Sequence, residues 1–333
     1  MDIAFVGYLL AIFIVSFIAL VKGSDIFIDG AAAIATRRGV SEHMIGLTLV
    51  AFATSIPELA VSDVAAFQGM EGIAIGNVIG SNIANIGLVL GIAIMIMPVS
   101  SPSQSFRDAI FLLAITVLFG LLIMDDCLDR MDGALLLIIY LIFIIHLFRT
   151  HSGSVKLEKD AKETEVPESL KELSDKSDEG LNKSNEDSVQ KEWLYLIAGV
   201  SLVLVGAHFL VYSAVEIAEM AKISKVIIGL TIISIGTSLP ELASSVSAAL
   251  KKKHGISIGN VIGSNMINTL LVLGSASVIM PIGVEGDGFS ISMPFLFLFT
   301  LLCMLVVKCK KIPRWVGGCL VGLYILFLIL LAI

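Results

Sequence analysis

Charge is what this sequence has least of. Only 15% of its 333 residues are Asp, Glu, Lys or Arg, while 56% are hydrophobic and the mean hydropathy is +0.95. A water-soluble domain carries about a quarter charged residues, so a soluble fold is excluded. The polar–apolar alternation of outer-membrane strands is also missing, which excludes a β-barrel and leaves membrane-spanning helices. Cysteine is sparse. Cys127, Cys303, Cys309 and Cys319 are scattered and offer neither a disulfide framework nor metal-ligand spacing. The N-terminus has no basic segment and no small-residue cleavage site, so the first apolar stretch reads as a retained helix. No repeated motif pairs a nucleophile with its base, which argues against an enzyme. The net charge of −7 comes mostly from one hydrophilic stretch. No cofactor and no nucleic-acid partner are expected.

What is present is an all-α polytopic pattern. Ten helices are predicted at 3–36, 42–67, 72–97, 105–124, 131–149, 193–220, 225–250, 255–280, 290–308 and 312–332. Residues 150–192 are rich in Lys, Glu, Asp and Ser, too polar to build a core, and are expected to form a flexible linker. One set of loops holds eleven Lys and Arg residues, among them Arg37, Arg38, Arg107 and Lys251, and the other set holds three, Arg130, Lys222 and Lys225. By the positive-inside rule the first set is cytoplasmic, so both termini face outside and the linker faces inside.

One stretch occurs twice. GLTLVAFATSIPEL at 46–59 returns as GLTIISIGTSLPEL at 229–242, and GIAIGNVIGSNIANIGLVLG at 72–91 returns as GISIGNVIGSNMINTLLVLG at 255–274. The offset is 183 throughout, with 27 identities over 46 aligned positions. Five helices per half is an odd number, so the halves 1–149 and 193–333 must enter the membrane from opposite sides. That arrangement is an inverted-topology repeat, whose site lies at the midplane where the copies meet.

Each copy sets a carboxylate, Glu58 or Glu241, directly after a proline in an apolar helix. A mid-helix proline supplies no N–H and loosens the carbonyls before it, here those around Ala51–Thr54 and Ser234–Thr237. Carbonyls, the hydroxyls of Thr54, Ser55, Thr237 and Ser238, and a glutamate make a set of oxygen ligands. Such a set suits hard cations, and no sulfur or imidazole is at hand for softer ones. Glycines spaced by four (Gly72, Gly76, Gly80; Gly255, Gly259, Gly263) permit close helix approach, and Ser81, Asn85, Ser264 and Asn268 continue along that side. Asn77 and Asn260 are expected to make interhelical hydrogen bonds. Two buried carboxylates repel unless a cation sits between them. They balance one Ca²⁺ or two Na⁺, which is the physical basis of obligatory exchange. The competing reading is that Ser55-x-x-Glu58 and Ser238-x-x-Glu241 are capping boxes for helices restarting after the break.

GTSLPEL, ATSIPEL and the two GNVIGSN runs resemble the α-repeats of the cation/Ca²⁺ antiporter superfamily, in its Na⁺/Ca²⁺ exchanger branch and its minimal prokaryotic form. The resemblance implies alternating access, with the first and sixth helices sliding against the other eight, in a protein that works as a monomer. It implies Ca²⁺ held by Glu58, Glu241, Thr54 and Thr237. It implies Na⁺ held by Ser55, Ser81 and the Ala51 carbonyl on one side, and by Ser238, Ser264 and the Ser234 carbonyl on the other. Asn85 and Asn268 fall at the central position. Asp replaces Asn268 in some relatives, including K⁺-dependent exchangers, and the H⁺-coupled branch has Asn where Pro57 and Pro240 stand. The first departure argues against K⁺ cotransport, and the second favours Na⁺ over H⁺ as the coupling ion.

Overall fold

The computed structural model describes residues 3–37, 50–96, 98–100, 103–145, 181–250, 254–284, 288–309 and 311–332. Among these, eight helices are long and apolar enough to cross a membrane. In chain order the helices are α1 (Ile3–Arg37), α2 (Val50–Thr54 and Ile56–Phe67), α3 (Glu71–Ile96), α4 (Ser103–Leu122) and α5 (130–145). The second series is α6 (Leu181–Ala221), α7 (Lys225–Leu250, broken at Ser238), α8 (His254–Ile267, continuing to Ile279), α9 (Phe289–Lys308) and α10 (Arg314–Leu331). The expected helical residues 42–49 and 146–149, and the linker as far as 180, lie outside the described residues. The sixth helix begins at Leu181, well before the expected 193. Residues 181–192 contain neither Pro nor Gly, so nothing in them stops an apolar helix from running on beyond the bilayer.

The apolar side chains sort by what they face. On the outer helices, Ile14, Val15, Leu141, Ile142, Leu204, Val205 and Ile325 are exposed, as lipid-facing surface requires. Buried residues concentrate instead on α3 and α8, the two helices at the centre. Small residues bring the backbones there. A Cβ on Gly76 would lie 2.7 Å from the Val226 carbonyl oxygen and 3.1 Å from the Cα of Gly229, which only glycine avoids. The outer pair α1 and α6 is joined the same way. A Cβ on Gly23 would come within 2.8 Å of the Val203 nitrogen, and one on Gly206 within 2.8 Å of the Leu20 nitrogen. These two glycines are also 183 residues apart, so the internal relation extends beyond the recognisable motifs.

The contacts fix the direction of each copy. Along α3, Gly72 meets Val226, Gly76 meets Gly229 and Gly80 meets Leu230 and Ser234, so α3 and α7 run parallel. Ser62 donates to the Ala74 carbonyl and Asn77 to the Glu58 carbonyl, so α2 and α3 run antiparallel. Hence α2 and α7, the two copies of the motif, are antiparallel, as an inverted repeat demands. Two short strand pairs lie at opposite ends of α3 and tie the halves together. Beyond its C-terminal end, β1 (Val99–Ser100) pairs with β4 (Lys311–Ile312). At its N-terminal end, β2 (Cys127–Leu128) pairs with β3 (Ile282–Gly283), and the Gly283 amide donates to Glu71 at 2.8 Å.

Candidate cation site

The site forms where the two helix breaks face each other. Ser55 and Ser238 interrupt α2 and α7 in the same conformation, φ −87°, ψ 4° and φ −83°, ψ 3°. The break is local. The Ser55 amide still donates to the Ala51 carbonyl at 3.2 Å, and the Ser238 amide to the Ser234 carbonyl at 3.1 Å. Ala51 and Ser234, expected as loosened acceptors, therefore keep their helical donors, and the hydroxyls of Thr54 and Thr237 also lie 3.3 Å from their carbonyl oxygens. Because proline lacks an N–H, the carbonyls that lose their i+4 donor are those of Ala53 and Gly236.

The hydroxyls at the breaks do not cap their own helices. Ser55 makes no side-chain capping bond. Its Oγ instead donates to Oε1 of Glu241 at 3.3 Å, and Ser238 Oγ donates to Oε1 of Glu58 at 3.4 Å. Each repeat thus reaches across to the carboxylate of the other, which removes the capping-box reading of Ser55. Both glutamates are fully buried, and Oε2 of each has no hydrogen-bond partner.

Around this crossing the two asparagines form braces. Thr237 Oγ1 donates to Asn77 Oδ1 at 3.1 Å, and Thr54 Oγ1 lies 3.5 Å from Asn260 Oδ1. The amide nitrogens continue the braces outward, Asn77 to Ser62 and Asn260 to Ser245, each at 3.0 Å. The interhelical role expected of Asn77 and Asn260 is what these contacts record. Ser81 Oγ lies 3.3 Å from Thr237 Oγ1, whereas its counterpart Ser264 has no partner. Asn85 donates to Asn265 at 3.0 Å, and both polar atoms of Asn268 are unpartnered. Each begins a π-helical turn, Asn85–Leu90 or Asn268–Val272, a geometry found often at functional positions. No hydrogen bond joins Asn85 or Asn268 to either carboxylate. The sequence reading passes over Asn82, Asn265 and Thr269, which lock α3 to α8. Asn265 donates to the Asn82 carbonyl at 3.0 Å, and Asn82 donates to Thr269 at 2.9 Å. Asn82 and Asn265 stand in the repeated GNVIGSN motif, but only the fold shows that they meet.

The oxygen spacings carry chemical information. Away from the site, hydroxyls that bond back four residues do so at 2.7–2.9 Å, as at Thr116, Thr231, Ser277 and Thr300, and those that bond back three do so at 3.0–3.2 Å, as at Ser213, Ser275 and Ser277. Several oxygen pairs within the site are slightly wider still. Thr54 to the Ala51 carbonyl, Thr237 to the Ser234 carbonyl, Ser55 to Glu241 and Ser81 to Thr237 are each 3.3 Å. O–H···O bonds favour ~2.7–2.8 Å. Oxygens that ligate one hard cation at ~2.4 Å, at right angles, stand ~3.4 Å apart. The unpartnered oxygens of both buried carboxylates, beside hydroxyls of the opposite repeat, fit a cation better than a closed hydrogen-bond network.

Comparison with known proteins agrees in extent and kind. The sequence profile of the family described as sodium/calcium exchanger protein matches residues 8–149 and 191–333. Sodium/calcium exchanger MaX1 of Methanosarcina acetivorans is 34% identical over 96% of this chain and 97% of its own length. Inner membrane protein YrbG of Escherichia coli is 32% identical over 96% of each chain. Among solved structures, the sodium-calcium exchanger NCX_Mj soaked with 10 mM Na⁺ and zero Ca²⁺ superposes with a TM-score of 0.61 at 35% identity, covering 96% of this chain and 98% of the other. The same exchanger soaked with 100 mM Na⁺ and 10 mM Sr²⁺ gives 0.62 at 35% identity, covering 96% and 97%. With two matched segments spanning nearly all of its length and the fold in common, this chain belongs to the sodium/calcium exchanger protein family and is a multi-pass membrane transporter, not an enzyme.

Proposed function

We propose that this protein is a secondary antiporter that exchanges Ca²⁺ for Na⁺ by alternating access. Inward Na⁺ flow would drive Ca²⁺ outward. The carrying observation is the crossed pair of buried glutamates, each with one oxygen beside a hydroxyl of the opposite repeat and the other oxygen unpartnered. Glu58 and Glu241, with Thr54 and Thr237, hold Ca²⁺. Ser55, Ser81 and the Ala51 carbonyl hold Na⁺ on one flank; Ser238, Ser264 and the Ser234 carbonyl hold it on the other. Asn85 and Asn268 occupy the position between. Two negative charges in a low-dielectric site tolerate one Ca²⁺ or two Na⁺ but resist crossing the membrane bare, which couples the two fluxes. Residues 1–149 and 193–333 are the two inverted repeats, joined by 150–192 on the cytoplasmic side, with both termini outside, and α1 and α6 slide against the other eight helices.

The named relatives support Na⁺ as the partner ion, as do Pro57 and Pro240, where the H⁺-coupled branch has asparagine. The test is calcium-45 uptake into proteoliposomes under an imposed Na⁺ gradient. Uptake should follow the size and direction of that gradient. Uptake that ignores Na⁺ and collapses with a protonophore would replace this reading with H⁺/Ca²⁺ exchange. Dependence on K⁺ as well would make it a K⁺-dependent exchanger, and rapid flux without any counter-ion would make it a channel.

A further inference from the structure

Between Glu58 and the 68–70 loop the repeat symmetry fails at one charged position. Five residues beyond Glu58 on α2, or ~7.5 Å along the helix axis, stands Asp63, where the second repeat has Val246. Its carboxylate accepts a 2.7 Å hydrogen bond from Ser275 on α8, where the first repeat has Ile92. Both members of the contact therefore depart from the internal symmetry, and they depart together. Asp63 lies in α2, within the stretch 42–67 that the sequence reads as a span, against the apolar spanning helix α8, and is partly buried. Among the described residues the Ser275 bond is its one polar partner, and no Lys, Arg or His neutralises it. An ionisable group inside a span marks an ion route more often than a packing contact, because a neutral side chain would pack there at far lower desolvation cost. The second half of α2 leads from Glu58 towards the 68–70 loop. On α7 the matching route to the opposite face has only Val246 at that step.

We propose that Asp63, positioned by Ser275, is a second and weaker cation-binding station on the route between the central site and the face of the 68–70 loop. It makes the two mouths of the transporter unequal. A carboxylate beside this route attracts a divalent cation twice as strongly as a monovalent one at the same distance, so it favours Ca²⁺ entering or leaving on this face. The kinetic part of this inference rests on the exchange reading above; the binding part does not.

Asp63→Asn and Ser275→Ala separate the station from a plain helix–helix bond. The first keeps an acceptor for Ser275 and removes the charge; the second keeps the charge and removes the bond. In proteoliposomes with the protein inserted in a known orientation, Asp63→Asn should raise the Ca²⁺ concentration for half-maximal exchange about tenfold on the 68–70 face, equivalent to ~1.4 kcal/mol. The opposite face should be unchanged, and Ser275→Ala should have the smaller effect. Equal change on both faces, no change, or a larger effect from Ser275→Ala overturns the proposal. Calcium-45 binding to purified Glu58→Gln protein gives an independent arm, since the central site is then disabled. Residual binding that falls when Asp63→Asn is added supports the station; residual binding indifferent to it, or none, overturns it. If the wild type shows no Na⁺-driven exchange, the exchange reading fails and this binding arm alone decides the station.

Discussion

A buried carboxylate with one oxygen near a serine and the other without a partner carries most of its charge uncompensated. Glu58 and Glu241 share that condition, and a cation bound between them relieves both at once. Glu58→Gln and Glu241→Gln keep the shape of each side chain and leave an acceptor for Ser238 or Ser55. Each should cost about 3 kcal/mol of Ca²⁺ binding or more, roughly a hundredfold in affinity, and calcium-45 exchange should fall to background. Folding is read separately. Ca²⁺ added to wild-type protein in detergent should raise its melting temperature, because a ligand that binds only the folded state stabilises it. A chelator should reverse that rise, and neither glutamine variant should show it. Normal exchange by both variants would return the glutamates to a structural role.

At the scale of the helix, small residues set how closely the breaks approach. Gly76→Ala would drive a Cβ to 2.7 Å from the Val226 carbonyl oxygen, and Gly80→Ala to 2.6 Å from that of Leu230. Backbone atoms on the facing helix cannot rotate away, so each substitution should destabilise by ~1–3 kcal/mol. Thermal unfolding in detergent should show both melting below wild type. Gly318→Ala, whose Cβ would meet nothing within 4 Å, should melt with it. Such elements were largely legible in the sequence, because apolar length gives the spans and proline gives the breaks. The braces of Asn77 and Asn260 were legible too, since a repeated amide inside a span needs a partner. Less could be read where the partner comes from the other repeat. Nothing in one segment says that Ser55 bonds to Glu241 and not to its own helix, or that Asn265 reaches the Asn82 carbonyl. Asp63 and Ser275 escape a search built on shared letters because they are where the two copies differ. Leu181 was missed for another reason: a polar helix running beyond the bilayer has the composition of a linker.

For the whole molecule, the remaining question is which face is which. The fold relates the faces, since β1 and β4 lie beyond one end of α3 and β2 and β3 at the other, but only the distribution of Lys and Arg says which end is cytoplasmic. That distribution puts the β2 segment, with Cys127, outside and Cys309 inside. Both thiols are at least partly accessible, whereas Cys303 is buried. A membrane-impermeant maleimide applied to intact cells should therefore label Cys127 in a variant with Cys309 and Cys319 replaced by serine. A variant retaining Cys309 in place of Cys127 should react only after permeabilisation. The rate at Cys127 has its own signature. Desolvation, followed by the carboxylates of Asp125, Asp129, Glu71 and Asp132, pushes its thiol above the ordinary value for cysteine. A raised pKa means less thiolate at any given pH. Labelling should be slow at neutral pH and accelerate only as pH rises past the usual cysteine range of ~8.5, and Asp125→Asn with Asp129→Asn should shift that rise to lower pH. If Cys309 reacts in intact cells and Cys127 does not, the orientation is inverted. The proposed Asp63 station then serves the cytoplasmic mouth, where resting Ca²⁺ is scarce and a weak attracting site matters most for loading.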